Sequence, residues 1–316
     1  MPAVKTRHRV MLWVLQGALA LVVGAFFVRA LARYWNEFRA LHFPIELHVW
    51  WVLMAAGAVL VTYVLLIAGW RLVLAGWDQR LPFSRAMRVW TLSNLGRYLP
   101  GKVWSVAGLA VLAQREGVAG WSAVGAAVAM QAVAIGSGIA VAAAAVPGAL
   151  STIRLGVAAI IAAASIVVLA SPPAAALLAR VTGWKDLRAV PIGAVLMAGV
   201  VTTVAWAGYG LAFWCLARGT LGTSSLTAAH ATGVFTAGYL VGLAVIFSPG
   251  GVGARELVFI PLLTPSLGAG GAVVLTIASR ILLTIMEALA ALLGLALGGP
   301  PVAPTTEAEP RSAGAD

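Results

Sequence analysis

The chain has 316 residues, 61% hydrophobic and 10% charged, where an ordinary soluble domain carries roughly 25% charged residues. With a mean hydropathy of +0.98 it falls outside the soluble globular class and reads as an all-α, polytopic membrane protein. One cysteine, Cys215, excludes a disulfide framework and a thiolate metal cluster, and the formal charge of +11 lies mostly between apolar spans, which points to lipid headgroups and topology rather than nucleic acid.

A membrane-crossing helix needs about 20 mostly apolar residues. In chain order the predicted spans are 10–28, 49–69, 119–146, 152–171, 190–216 and 267–297. The first follows Lys5, Arg7 and Arg9 but is too long for a signal-peptide core and lacks a small-residue cleavage site, so it reads as a retained helix. Two more apolar stretches, 83–113 and 226–263, are interrupted, one by Pro100-Gly101 and the other by Pro249-Gly250-Gly251-Val252-Gly253. The expected architecture is a membrane domain over 1–298 with about eight embedded segments, two of them Pro-Gly broken or re-entrant, arranged as an inverted internal repeat. The polar tail 299–316, with Pro300, Pro301, Pro304 and Pro310, reads as disordered.

Arginine and lysine set the expected orientation. Arg71, Arg80, Arg85, Arg88, Arg97 and Lys102 crowd 70–102, and Arg180, Lys185 and Arg188 lie in 172–189, while 147–151 and 219–225 carry none. This favours a cytoplasmic amino terminus and cytoplasmic loops at 70–88 and 172–189. Trp50, Trp51, Trp70, Trp77, Trp90, Trp104, Trp121 and Trp184 lie near predicted span ends and read as an interfacial aromatic belt.

The two breaks carry the functional signal. Each is an apolar approach, then Pro-Gly, then a new helix, and their prolines lie 149 residues apart in opposite halves of the chain. A helix does not run smoothly through Pro-Gly. Unpaired backbone at membrane depth is tolerated only inside protein or along a polar cavity, and paired interruptions of this kind mark transporter binding sites. The alternative is a pair of surface loops between short helices. Arg255 and Glu256 directly follow the second break, and Arg280 and Glu287 lie inside the last span. Such intramembrane charges cost about 2.5–3.5 kcal/mol each on insertion scales and are functional candidates by default. Arg280 and Glu287 share a helix face, but about 10 Å of rise keeps them apart; partners are expected in Arg255, Glu256 or substrate, a structural ion pair being the other reading.

Other motifs carry less. Gly96 to Val103 resembles a phosphate-binding loop, but Val103 replaces the magnesium-binding hydroxyl and no strand precedes it. Gly238…Gly242 and Gly294…Gly298 fit close helix packing. His8, His42, His48 and His230 are scattered, with no metal-binding spacing. No nucleotide, cofactor or metal site is expected.

Asn94, Arg97-Tyr98-Leu99-Pro100-Gly101-Lys102, Gln114-Arg115-Glu116 and Pro249-Gly250-Gly251-Val252-Gly253-Ala254-Arg255-Glu256 resemble the membrane domain of lysylphosphatidylglycerol synthases, a family with stand-alone, flippase-like members. The resemblance spans nearly the whole chain to about residue 298 and implies movement or handling of a lipid without its synthesis, the 316 residues leaving no room for a soluble aminoacyl-transfer domain. It carries over to Arg97, Pro100, Gly101, Lys102, Pro249, Gly250, Gly251, Gly253, Arg255 and Glu256.

The resulting expectation is a non-enzymatic flippase-like protein of a bacterial cytoplasmic membrane. It would translocate or handle an anionic, aminoacylated or glycosylated lipid whose headgroup meets Arg97, Lys102, Arg255, Glu256, Arg280 and Glu287. Two alternatives stand beside it: a non-transporting partner of a lipid- or glycolipid-modifying enzyme, and a membrane enzyme acting on polyprenyl-linked sugars through Asp78, Glu116 or Asp186.

Overall fold

A computed structural model describes residues 47–98, 103–145, 152–183, 188–222, 225–245 and 253–297. Among these residues the chain is helical with no strand: α1 (Val49–Ala75), α2 (Phe83–Asn94) running into a 3-10 turn (Leu95–Tyr98), α3 (Val103–Arg115), α4 (Gly120–Ala145), α5 (Thr152–Ala170), α6 (Pro172–Thr182), α7 (Ile192–Leu221), α8 (Ala228–Ala244) and α9 (Glu256–Leu297). Four of these, α1, α4, α7 and α9, are long and apolar enough to cross a membrane, and Ala159–Ala170 and Ala228–Ala244 are shorter apolar helices. The chain is thus an α-helical membrane protein. The predicted spans 49–69, 119–146, 152–171 and 190–216 fall on α1, α4, α5 and α7; span 10–28 and the tail 299–316 lie outside the described residues.

Two expectations are corrected. The arginine-bearing loop at 172–189 contains α6, which starts where Ser171 accepts a hydrogen bond from the Ala174 N–H with proline at the first positions, and ends at Gly183 with φ 73°. Trp70 is not part of an interfacial belt. It is fully buried, and its indole N–H donates to the Ala123 carbonyl at 3.2 Å.

The helices on either side of the first break, α2 and α3, pack as a hairpin. A methyl at Gly96 would fall 2.7 Å from the Ser105 nitrogen, and one at Gly108 would touch Ser93. At the hairpin's base Glu116 lies 3.6 Å from Arg85 and 3.8 Å from Arg88. Rising positions on α2 thus meet falling positions on α3, so the arms are antiparallel. With 12 and 13 residues each arm reaches only about 20 Å.

The helices flanking the second break, α8 and α9, pack in the same way. Gly238 on α8 abuts the Phe259 ring, while nearer the base His230 Nδ1 lies 3.4 Å from Ser266 Oγ and Ser225 Oγ donates to the Ser266 carbonyl at 2.6 Å. The return arm is the first limb of α9, which contains Pro261 and Pro265 and ends at a kink on Gly268, φ 71°. Beyond the kink the long limb 269–297 begins, where the last span was predicted to start. Gly253, φ 85°, supplies the left-handed turn immediately before α9. Because Gly238 admits Phe259 directly against its backbone, Gly238→Val is expected to force the arms apart at a cost of about 1–3 kcal/mol, read as a lower thermal midpoint in detergent.

The hairpins enter from opposite ends of the bundle. The Trp77 N–H donates to the Arg188 carbonyl at 3.1 Å and the Ala119 N–H to Gln79 at 3.3 Å, which gathers the α1–α2, α3–α4 and α6–α7 connections, and the first hairpin's base, at one arginine-rich end. At the far end the His48 N–H donates to the Gly219 carbonyl at 2.9 Å, beside the second hairpin's base. The buried core divides accordingly. One block gathers Trp70, Val89, Leu109, Met130 and Val195 around the first hairpin, and the other gathers Val59, Phe213, Phe235, Phe259 and Leu275 around the second. Outward faces keep large apolar side chains such as Val61, Ile160, Val167 and Leu292 exposed, as suits a surface solvated by lipid.

Candidate functional site

Both hairpin tips dock on the 269–297 limb. A side chain at Gly294 would collide with Thr91 and Arg88 on α2, so α2 runs antiparallel to this limb and its tip arrives at Glu287. Arg97 Nη1 donates to Glu287 Oε1 at 2.8 Å and Nη2 to Asn94 Oδ1 at 3.0 Å. The Tyr98 hydroxyl donates to Glu287 Oε2 at 2.6 Å and lies 3.4 Å from Thr284 Oγ1. Glu287 is therefore held through both oxygens by consecutive residues of one tip, the charge-assisted arrangement that a buried carboxylate needs.

The second tip meets the same limb two turns earlier. Gly268 folds α9 back on itself, so Glu256, twelve residues before the kink, lies level with Arg280, twelve residues after it. Arg280 donates side-on, Nε to Glu256 Oε1 at 2.9 Å and Nη2 to Oε2 at 3.1 Å. Glu256 also occupies the first turn of α9, where a negative charge complements the helix dipole. Arg280 and Glu287 each sit about eleven residues from an end of the 269–297 limb. At 1.5 Å per residue this limb is about 43 Å long, and the two ion pairs occupy its middle.

A cavity of about 280 Å³ opens beside the first tip. Its charged lining is Arg97 and Glu287; Asn94, Gln131 and Tyr63 add polar groups, and Trp90 and Trp206 supply ring faces. Arg97 keeps a third of its side chain exposed here, against 11% for Glu287, so the cation is the accessible member of the pair. The Tyr63 hydroxyl is buried without a hydrogen-bond partner. Arg255 is placed differently. It is 7% exposed, and its guanidinium lies 5.2, 5.8 and 5.3 Å from the ring centres of Phe235, Tyr239 and Phe259.

Of the residues expected from sequence, the structure joins Arg97 to Glu287 and Glu256 to Arg280, sets Arg255 among aromatic rings and puts Gly253 at the turn. Lys102, Pro100, Gly101, Pro249, Gly250 and Gly251 lie outside the described residues. Among the alternative acids, Glu116 is held by Arg85 and Arg88, Asp78 occupies a turn with φ 60°, and Asp186 is not described. Missed were Tyr98 and Thr284, which complete the grip on Glu287, and Tyr63, Gln131, Trp206 and Tyr239 in the lining. Thr284, one turn before Glu287, was readable from helical spacing. The others need the tertiary fold, and Trp90, assigned to the belt, lines the cavity instead.

Comparison with known proteins adds one finding. No match is found among curated proteins. The sequence profile described as the lysylphosphatidylglycerol synthase TM region matches residues 12–291, a stretch that takes in both hairpins, both ion pairs and the cavity, and the chain belongs to that family.

Proposed function

We propose that this protein moves an anionic or modified-headgroup lipid between leaflets, as a non-enzymatic flippase-like transporter of a bacterial cytoplasmic membrane. Membership of the family makes it a multi-pass membrane protein linked to lipid handling. The observation that carries the finer reading is the Arg97–Glu287 pair, lining a cavity at the first hairpin tip, two turns along one long helix from the Glu256–Arg280 pair of the opposed hairpin. A hydrocarbon core of about 30 Å centred on that limb puts both ion pairs near mid-depth. The hairpin arms are then re-entrant, since helices of about 18–26 Å fall short of that core. Opposed interruptions at mid-depth are the pattern of inverted-repeat transporters.

Arg97, the exposed member, offers guanidinium donors to a lipid phosphate, and Glu287 holds it in place until the headgroup arrives. At about 280 Å³ the cavity lies just below the usual size of small-molecule pockets; it suits a headgroup, with acyl chains left in the bilayer. The arginine-rich end is cytoplasmic by the positive-inside rule, so the first hairpin enters from the cytoplasm and the second from outside.

The test is a leaflet-exposure assay on the full chain in proteoliposomes, with fluorescent anionic, zwitterionic and aminoacylated lipids. Faster exchange than in protein-free vesicles is expected for at least one headgroup class, and Arg97→Gln should slow it about tenfold or more, the loss of one charge-assisted contact. Exchange at the protein-free rate for every lipid overturns translocation. Co-purification with a lipid-modifying enzyme would then favour the partner role.

A further inference from the structure

Among the described residues, the layer between the hairpin tips holds three arginines, Arg97, Arg255 and Arg280, and two carboxylates, Glu256 and Glu287. Each carboxylate is committed to one arginine, Glu287 to Arg97 and Glu256 to Arg280. Arg255 is the surplus cation. It is 7% exposed, and its Nε and Nη2 are buried without any hydrogen-bond partner. The rings of Phe235, Tyr239 and Phe259 offer π-faces to the cation, and this lowers the cost of its burial. They accept no in-plane N–H bonds, and an orphaned charged donor remains expensive in a dry interior.

The geometry of the unpartnered atoms specifies their ligand. Nε and Nη2 form the side-on fork of the guanidinium, the same two atoms with which Arg280 takes both oxygens of Glu256. An oxyanion presenting two oxygens matches that fork, and a phosphate group does so with a full negative charge. Arg218 also has a buried Nε without a partner and stacks on Trp51 and Trp214. It sits in the last turn of α7 and is only partly buried, so that arrangement reads as an interfacial anchor.

Tyr239 connects this arginine to the cavity. Its ring lines the cavity, packs 5.2 Å from Trp206 and lies 5.8 Å from the Arg255 guanidinium. The same ring thus belongs both to the lining of the Arg97 cavity and to the aromatic surround of Arg255.

We infer that Arg255 is a second oxyanion-docking site, reached from the cavity past the Tyr239 ring, which receives a phosphate group after Arg97 has bound it. This rests on the lipid-headgroup reading of the cavity. The phosphate is that of an anionic lipid, and free inorganic phosphate is the other source of the same chemistry. The consequence is a two-station path, with Arg97 at the first hairpin and Arg255 at the second.

The test compares wild type, Arg97→Gln, Arg255→Met and Arg255→Lys as full-length protein. Short-chain phosphatidylglycerol binding is measured in neutral detergent, and leaflet exchange of fluorescent phosphatidylglycerol in phosphatidylcholine vesicles. Arg255→Met is expected to bind within about threefold of wild type yet exchange about tenfold more slowly, whereas Arg97→Gln loses both. Arg255→Lys, which keeps the charge and drops the fork, should also exchange more slowly at an unchanged thermal midpoint, and it decides the matter if Arg255→Met does not fold. Wild-type exchange in a folded Arg255 variant overturns the second site and leaves the lipid reading standing. If wild type itself exchanges no lipid, the headgroup reading fails and inorganic phosphate becomes the probe. Phosphate stabilising wild type but not Arg255→Lys then supports the site with a free-phosphate source, and equal or absent stabilisation overturns it.

Discussion

Replacing Arg280 with methionine is expected to destabilise the protein by about 3 kcal/mol, the lower end of the range for breaking a buried ion pair. The variant strands the Glu256 carboxylate opposite an apolar side chain; the low end applies because Glu256 keeps 27% of its side chain exposed, while Arg280 keeps 7%. Glu256→Gln alone removes the carboxylate from the more deeply buried guanidinium and should cost at least as much. The double variant Glu256→Leu/Arg280→Met removes both charges and should recover most of the loss, because desolvation of the pair consumes much of its Coulomb gain. Thermal or denaturant midpoints of the four proteins close the cycle. Additive losses in the double variant would show that the pair does not act as a unit.

The second large effect is functional and runs in opposite directions for two readouts. In Glu287→Gln the side chain still accepts from Tyr98, but it no longer neutralises Arg97. An arriving phosphate then meets a cation with no competing carboxylate. A charge-assisted hydrogen bond is worth about 1.5–3 kcal/mol, so short-chain phosphatidylglycerol should bind about tenfold more tightly. Release should slow by the same cause, and leaflet exchange should fall even as occupancy rises. Unchanged affinity would mean that Glu287 does not compete for Arg97. Weaker binding would mean that its charge positions the arginine rather than restraining it.

Much of this architecture was legible in the residues. Long apolar runs mark α1, α4, α5 and α7 because a helix in lipid satisfies its backbone internally. The breaks expected at Pro100-Gly101 and Pro249-Gly250, where neither proline nor glycine sustains a helix, fall between described helices, α2 and α3 for the first and α8 and α9 for the second. The four charges at 255, 256, 280 and 287 stood out against apolar sequence because burying them is costly. Which charge meets which was not legible. Arg280 finds Glu256 rather than substrate only because Gly268 reverses α9, and one glycine in a glycine-rich chain gives no sign of φ 71°. The α6 helix was readable and passed over, since Ser171-Pro172-Pro173 is a helix-start signal. The indole rings deceived for a physical reason. Tryptophan is amphipathic and serves an interface or a buried carbonyl equally well, so Trp70, bonded to Ala123, carried no mark distinguishing it from its neighbours.

The pairing of Arg97 with Glu287 also sets an order on biogenesis. The two residues are separated by 190 positions, and at ribosomal rates of about 5–20 residues per second the arginine waits roughly 10–40 s for its carboxylate. During that interval the first hairpin has emerged with a cation that, among the described residues, no carboxylate of its own half pairs as Glu287 does. Its burial at mid-depth is therefore costlier until the last helix is in the membrane. The 269–297 limb is thus the keystone of assembly, and a nascent chain halted before it should remain a loosely inserted set of helices, open to membrane quality-control proteases.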